Sequence, residues 1–288
     1  MEFDCKGPAD VAQNLTERIC VAKTQLEPFK LLVLGILAGA YIGFGCELST
    51  LVGHDAAKFV GAGLAAFLRG AVFSVGLMLV VIAGAELFTG NSLVVLSVLD
   101  RKIPVRGLLY NWSVVYVANI IGSVLLAWIM FGSGLLEGKN AAVGASALGI
   151  AAAKSNLAFW PAFFRGILCN WLVCLAIWMA AASRNIIGKI FAIFFPIMAF
   201  VASSFEHSVA NMYFIPVGMM LKKIPQVLSA ALSMGVSPEA LGKLNLYGFL
   251  VRNEVPVTLG NIVGGAFFVA TLYWSVYRRR SVREKTSS

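Results

Sequence analysis

Long apolar runs constrain this 288-residue chain more than any other feature of its sequence. A membrane-spanning helix needs roughly 20 consecutive apolar residues, and the sequence contains six runs of about that length or longer. Of all residues, 59% are hydrophobic and 13% are charged, whereas a typical soluble domain has about 45–50% and about 25%. We therefore predict an all-α membrane protein with six transmembrane helices. The runs cover residues 31–52, 63–99, 108–131, 160–182, 189–221 and 256–277.

Two of these runs, 63–99 and 189–221, are longer than one membrane crossing requires, and both contain polar residues. The first contains AGAELFTGNS (83–92) and the second contains SSFEHSVANMY (203–213). Irregular backbone at membrane depth is tolerated only where it lines a cavity or is buried in protein. We therefore predict that transmembrane helices 2 and 5 are broken, each into two helical pieces joined by a non-helical stretch.

The two polar interruptions resemble each other. In each, a glutamate is followed by three residues, a small residue and an asparagine: Glu86 and Asn91 in the first, Glu206 and Asn211 in the second. The matching asparagines of the third and sixth runs are Asn111, Asn119, Asn253 and Asn261. An offset of three spans reverses the direction through the bilayer. The pattern thus predicts an inverted 3+3 repeat and an aquaporin-like protomer, with its functional site near the membrane midplane.

His207 is the central functional candidate. An ionisable residue inside a membrane span is a functional hypothesis by default, and histidine titrates near neutral pH. The neighbouring Glu206 lies about 100° away around a helix, so we assign His207 to a pore and Glu206 to packing. Glu206 is then expected to accept hydrogen bonds from residues 89–91 or from Asn170. The alternative is that Glu206 donates a proton to the substrate.

The first interruption offers a second set of candidates. Thr89, Gly90 and Asn91 supply a hydroxyl, a flexible joint and an amide, which could direct donors into the same pore. The alternative is a packing kink between helices. The five cysteines show no metal-binding spacing, which argues against a metal site, and no cofactor is predicted.

Charged residues suggest three parts of the chain. We predict an amphipathic N-terminal segment (1–30), which is a candidate plug, a six-span pore domain (31–277) and a basic tail (278–288). Most of the 23 Lys and Arg fall on the side that carries both termini, so we expect both termini in the cytoplasm and the protein in the inner (plasma) membrane. The net charge of +9 does not indicate nucleic-acid binding, because the cluster YRRRSVREK directly follows an apolar span and resembles a membrane anchor.

Four stretches, in order, resemble the formate/nitrite transporter family. They are GAELFTGNS (84–92), GILCNWLVCLAIW (166–178), SSFEHSVANMYFIP (203–216) and VPVTLGNIVGG (255–265). The resemblance extends over about residues 25–277. It implies a homopentamer in the lipid bilayer, with one six-span pore in each protomer. It also implies conduction of small monovalent anions, namely formate, nitrite or hydrosulfide.

The resemblance further implies roles for individual residues. The inner constriction of the pore corresponds to Leu87, Phe88 and Val173, and the outer constriction to Phe73, Leu77 and Phe200. Thr89 and His207 are expected between the constrictions, and Asn170 corresponds to a pore-side asparagine. Lys154 resembles the basic residue of the outer vestibule, although its neighbours are Ser and Asn where formate channels often have His.

Charge masking is the expected transport principle. Moving a bare anion into a dry apolar constriction costs on the order of tens of kcal/mol. Neutralising an acid of pKa about 4 at pH 7 costs about 4 kcal/mol, because the acid lies about three pH units from its neutral form. We therefore expect the substrate to pass as the neutral acid or to be transiently stabilised by His207 and Thr89, with proton coupling at low external pH. Phe88 favours formate, followed by nitrite and then hydrosulfide.

Two alternatives from other functional classes are weaker. A neutral-solute pore of the aquaporin type would need paired Asn-Pro-Ala motifs, which the sequence lacks. An intramembrane enzyme would need a nucleophile opposite His207. Ser203, Ser204 and Ser208 are too close to His207 in sequence for that role, and no Gly-x-Ser-x-Gly motif occurs. We expect no enzymatic activity.

Overall fold

The computed structural model describes residues 5–138 and 141–279, and within these residues it contains helices but no β-strand. The helices are α1 (consecutive segments Pro8–Asn14, Leu15–Ile19 and Cys20–Thr24), α2 (Pro28–Gly53), α3 (Ala56–Gly84), α4 (Gly90–Leu99), α5 (Val105–Gly132), α6 (Ala142–Ser155), α7 (Phe159–Ala182), α8 (Ile186–Ala202), α9 (Ser208–Leu221), α10 (Pro225–Ser233), α11 (Pro238–Gly242) and α12 (Gly248–Tyr277). The predicted basic tail lies outside the described residues from 280 onward.

Among the described residues, five helices are long and apolar enough to cross a membrane, judged by length and composition. They are α2, α3, α5, α7 and α12. Four of them each correspond to one predicted run, whereas α3 covers the first part of the run 63–99 and the shorter α4 covers its end. The remaining run, 189–221, consists of two shorter apolar helices, α8 and α9. Residues 203–207 separate these two helices, and residues 85–89 separate α3 from α4.

The breaks at residues 85–89 and 203–207 each have a residue in the left-handed backbone conformation at or next to their start. Gly84 has φ 91° and Ser204 has φ 57°, and each stands two positions before the glutamate of its break. Glycine adopts this conformation without steric cost, whereas a residue with a Cβ pays roughly 1–2 kcal/mol. The chain therefore leaves the helical path abruptly at two matched positions, one of which carries backbone strain.

Small residues allow the helices to approach closely in two places. A Cβ added at Gly122 of α5 would collide with the carbonyl oxygen of Ile36 in α2. A Cβ added at Gly264 of α12 would collide with the carbonyl oxygen of Ile167 in α7. Such contacts are typical of helices that pack in an apolar environment. They bring backbone carbonyls of α2 and α7 within reach of asparagine side chains on α5 and α12.

Helix α1 is packed into the protein. Val11 and Leu15 are buried in an apolar cluster together with residues of α4, α7 and α12. Arg278 at the end of α12 donates to Glu17 of α1 at 2.6 Å and to Asp100 at 2.9 Å. Hydrogen bonds from Gln13 and Arg278 hold the pKa of Glu17 below its ordinary value. This ion cluster ties α1 to the end of α12.

The sequence prediction missed three helices, α6, α10 and α11. Helix α6 is 14 residues long, shorter than a membrane crossing, and consists mostly of small apolar residues. It carries Lys154 near its C-terminal end.

Candidate functional site

A closed ring of polar side chains surrounds the break at residues 85–89. Lys23 Nζ donates to Glu86 Oε1 at 2.7 Å. Asn91 Nδ2 donates to Glu86 Oε2 and to Asn111 Oδ1, both at 2.8 Å. Asn111 Nδ2 completes the ring by donating to the carbonyl oxygen of Lys23 at 3.1 Å. The ring joins α1, the break, α4 and α5.

A second ring of the same composition surrounds the break at residues 203–207. Lys154 Nζ donates to both carboxylate oxygens of Glu206 at 3.0 Å. Asn211 Nδ2 donates to Glu206 Oε2 at 2.8 Å and to Asn253 Oδ1 at 2.7 Å. Asn253 Nδ2 donates to the carbonyl oxygen of Lys154 at 3.0 Å. Here the ring joins α6, the break, α9 and α12.

One further asparagine clamps the backbone of each break. The side chain of Asn119 donates to two carbonyl oxygens, at 2.8 and 3.0 Å, and accepts from one backbone N–H at 2.9 Å. Asn261 does the same at 2.8, 2.9 and 2.9 Å. The clamped residues are Gly35, Glu86 and Phe88 in the first half and Gly166, Glu206 and Ser208 in the second. These bonds satisfy backbone groups that would otherwise lack partners at membrane depth.

His207 lies at the contact between the two breaks. Its Nδ1 accepts from the N–H of Ala210 at 3.0 Å, so the side chain caps the start of α9. An unprotonated Nδ1 places the proton of the neutral ring on Nε2. Nε2 lies 3.1 Å from Thr89 Oγ1, so the ring donates to this hydroxyl. Thr89 in turn keeps its own hydroxyl proton available for another acceptor.

An outer cavity of about 290 Å³ opens beside His207. Its lining includes three cationic side chains, Arg69, Lys154 and Arg165, and the Glu206 carboxylate. Its apolar wall includes Phe73 and Phe200, which pack edge-to-face with ring centroids 5.5 Å apart. Phe200 also stacks on the His207 ring at 5.9 Å. The excess of positive charge attracts anions towards the histidine.

An inner cavity of about 480 Å³ lies beside the other break. Its charged lining residues are Lys23, Lys189 and Glu86, and Leu87 forms part of its apolar wall. No described residue lines both this cavity and the outer cavity. His207 lines the outer cavity and Leu87 lines the inner one, while the buried Thr89, two residues after Leu87, contacts His207.

The predicted constriction residues divide into two groups. Leu87 lines the inner cavity, and Phe73 and Phe200 line the outer cavity. The other three, Leu77, Phe88 and Val173, are buried and line neither cavity. The Phe88 ring packs edge-on against Trp112 at 6.0 Å and Tyr116 at 4.9 Å.

Glu206 has different partners from those expected. It bonds to Lys154 and Asn211, whereas Asn170 Nδ2 donates to the carbonyl oxygens of Thr89 and Asn261 at 3.1 and 2.7 Å. The prediction that Asn170 or residues 89–91 bind the Glu206 carboxylate was wrong. Asn170 Nδ2 is engaged with backbone oxygens instead, and Lys154 gives the carboxylate a charged donor. Asn170 also donates to Ser92 at 3.1 Å, which fixes the segment after the first break.

Gly90 also differs from its predicted role as a flexible joint. It lies in a regular helical turn at the start of α4, and an added Cβ would stand 2.6 Å from Ile177 Cδ1. Its small size leaves room for the Ile177 side chain, and Gly84 provides the unusual backbone conformation instead.

Sequence reasoning missed four cations of these cavities: Lys23, Lys189, Arg69 and Arg165. Lys23 falls in the predicted amphipathic N-terminal segment, where a lysine does not stand out because its sequence neighbours are not apolar. A signal was nevertheless present, since KTQL (23–26) matches KSNL (154–157) in residue type at every position. That match would have identified the two ring lysines as equivalents.

The sequence pattern of the family described as formate/nitrite transporter matches residues 10–275. This chain belongs to the formate/nitrite transporter family. With several helices of membrane-spanning length and composition, this family member is a multi-pass membrane protein.

Relatives in this family cover nearly the whole chain. A Methanothermobacter thermautotrophicus protein named "Probable formate transporter" is 46% identical over 287 residues, which covers 94% of this chain and 97% of the relative. Formate channel FocA of Escherichia coli (strain K12) is 36% identical over 283 residues, 97% of each chain. A solved pentameric formate channel with formate bound aligns with a TM-score of 0.77 at 37% identity, over 87% of this chain and 97% of that one. A solved FNT family ion channel aligns with a TM-score of 0.76 at 32% identity, over 93% and 98%.

Proposed function

We propose that this protein conducts small monovalent anions across the membrane and that formate is its main substrate. The observations that carry the proposal are the two cavities with cationic lining residues and the buried contact in which His207 donates to Thr89. We take this contact and its apolar neighbours as the barrier between the cavities. Relatives named as formate transporters and channels support formate as the substrate. Nitrite and hydrosulfide are the competing substrates, since they share the same size and charge class.

The proposed architecture is an inverted repeat of three crossings and three crossings. The two asparagine–glutamate–lysine rings and the two asparagine clamps support it, because each contact of one half has a counterpart in the other. In this arrangement α3 with α4, and α8 with α9, form the two broken crossings. Residues 31–277 then form the channel domain, and segment 1–30 contributes Lys23 to the inner cavity rather than acting only as a plug.

The proposed orientation places both termini in the cytoplasm and the protein in the inner membrane, in line with the positive-inside rule. The inner cavity, which is lined by α1, then opens to the cytoplasm, and the outer cavity opens to the opposite side. A homopentamer is the proposed assembly, and the solved pentameric relative supports it.

The mechanism follows from charge and hydrogen bonding. Cations of the outer cavity raise the local anion concentration. The apolar barrier excludes a bare charge, so the substrate accepts a proton from water, or from His207 after the ring has itself taken up a proton as imidazolium, and crosses as the neutral acid. The Thr89 hydroxyl, which accepts from His207, donates its own proton to a passing carboxylate oxygen. Flux is then coupled to protons when the external pH is low and becomes passive efflux near neutrality.

A substrate panel in proteoliposomes tests the proposal. Uptake of formate, nitrite, hydrosulfide, acetate and lactate is measured at two external pH values, with glycerol as the neutral solute. The expected result is that formate is the fastest substrate and that its uptake increases at the lower pH. Glycerol uptake without anion uptake would contradict the proposal. If nitrite or hydrosulfide is taken up faster than formate, that anion is the main substrate instead.

A further inference from the structure

Glu254 of α12 is a buried carboxyl group that the proposed pathway does not use. Its exposed fraction is 2%. Tyr116 Oη donates to Glu254 Oε2 at 2.9 Å, and Thr258 Oγ1 lies 3.4 Å from the same oxygen. The other oxygen, Oε1, is buried and has no hydrogen-bond partner among the described residues. An ionisable side chain inside an apolar span is expensive to maintain, which makes a specific role for Glu254 worth testing.

The cluster of Glu254, Tyr116 and Thr258 links the two proposed halves of the protein. Tyr116 of α5 and Thr258 of α12 stand at equivalent positions, each three residues before the clamp asparagine, Asn119 or Asn261, of its own half. Tyr116 Oη and Thr258 Oγ1 lie 3.1 Å apart. The two halves thus meet at this pair of hydroxyls, and the Glu254 carboxyl bonds across that meeting point.

Tyr116 connects Glu254 to the first break. The Tyr116 ring packs edge-on against the Phe88 ring, with centroids 4.9 Å apart. In the sequence, Phe88 is flanked by Leu87 and Thr89. Leu87 lines the inner cavity, and Thr89 bonds to His207. The backbone N–H of Phe88 is held by Asn119, so the remaining freedom of this residue is in its ring, and the Tyr116 ring restricts it.

We propose that Glu254 is a positioning residue that sets the width of the barrier and therefore the size selectivity of transport. Glu254 holds the Tyr116 hydroxyl, the Tyr116 ring holds Phe88, and Phe88 fixes the neighbouring Leu87 and Thr89. Loss of the carboxyl acceptor leaves Tyr116 Oη with the Thr258 hydroxyl alone, which loosens the Tyr116 ring, and the barrier then admits larger carboxylates. This inference rests on the proposed function, because it assigns selectivity within the proposed anion pathway.

A double-mutant cycle tests this role, with the ratio of acetate to formate flux in proteoliposomes as the readout. Glu254→Leu removes the acceptor, and Tyr116→Phe removes the donor while keeping the ring. Each is expected to raise the ratio about fivefold, the factor that corresponds to one ordinary hydrogen bond. The double variant is expected to match the single variants, since all three lack the same bond. Glu254→Gln keeps an oxygen acceptor and is expected to retain the wild-type ratio.

The controls separate the possible failures. Glu239→Gln, at an exposed position of α11, is expected to leave the ratio unchanged. If Glu254→Leu does not fold, Tyr116→Phe and Glu254→Gln still test the bond. An unchanged ratio in Tyr116→Phe, or independent multiplicative effects in the double variant, would overturn the role of Glu254 while leaving formate conduction intact. Absence of formate flux in the wild type would instead overturn the proposed function.

Discussion

The two breaks have the same scaffold but different side chains at their centres. Each is held by a lysine–glutamate–asparagine ring and by an asparagine clamp. The aligned positions that differ most are Leu87 and His207, Phe88 and Ser208, and Thr89 and Val209. Hydrogen bonds to the backbone therefore fix the shape of both breaks, and the chemistry depends on which side chains occupy the positions between glutamate and asparagine.

The ionic surroundings of the two breaks also differ. The side chain of Lys154 is 14% exposed, whereas that of Lys23 is 25% exposed. Arg69 and Arg165 add charge to the outer cavity, and Lys189 adds charge to the larger inner cavity. Lys154 is thus more buried than Lys23, and the outer cavity is more cationic than the inner one, which suits it to concentrate anions next to His207.

Removing one ring glutamate at a time is expected to give the largest difference between the halves. Glu206→Leu leaves Lys154 buried without its carboxylate, which should lower the free energy of unfolding by about 3–5 kcal/mol. The matched variant Glu86→Leu should cost less, because Lys23 has more access to solvent. Unfolding in detergent measures both variants. An equal or larger loss for Glu86→Leu would show that the two rings do not differ in burial as described.

Thr89→Val places at the first break the residue that stands at the aligned position 209 of the second. The change keeps the side-chain shape but removes the acceptor of His207 Nε2. The variant also loses the hydroxyl proposed to donate to the passing carboxylate, and a hydrogen bond to a charged group contributes about 1.5–3 kcal/mol, so formate flux should fall at least tenfold. Thr89→Ser keeps the hydroxyl and serves as the control. Wild-type flux in Thr89→Val would remove Thr89 from the mechanism.

Ser204→Gly is expected to have the smallest effect. Glycine relieves the left-handed strain at this position, and its greater freedom in the unfolded chain offsets part of the gain, leaving a stabilisation of about 0.5–1 kcal/mol. Gly84→Ser, the reverse change in the other half, should destabilise by a similar amount. A thermal shift in detergent reports both variants. A destabilised Ser204→Gly variant or a stabilised Gly84→Ser variant would mean that local contacts, rather than backbone conformation, determine the change in stability at these positions.

The polar residues of the breaks were predictable because glutamate, histidine and asparagine stand out in an apolar run. Glu86, Asn91, Glu206 and Asn211 all lie in the rings. Lys23 and α6 were not predictable by the same criterion, since a lysine in a polar segment and a short helix of small residues carry no membrane signal. The partners of Asn170 depend on how α7 packs against α4 and α12, and the spacing of residues in the sequence gives no information on that packing.

The most direct test of the central claim concerns His207, the side chain proposed to control passage of the acid through the barrier. Formate flux into proteoliposomes is measured against external pH for the wild type and for His207→Asn, with His207→Phe as a second variant. The mechanism predicts that wild-type flux rises as the external pH falls and that both variants lose either this dependence or the flux itself. Formate flux with unchanged pH dependence in His207→Asn would contradict the mechanism.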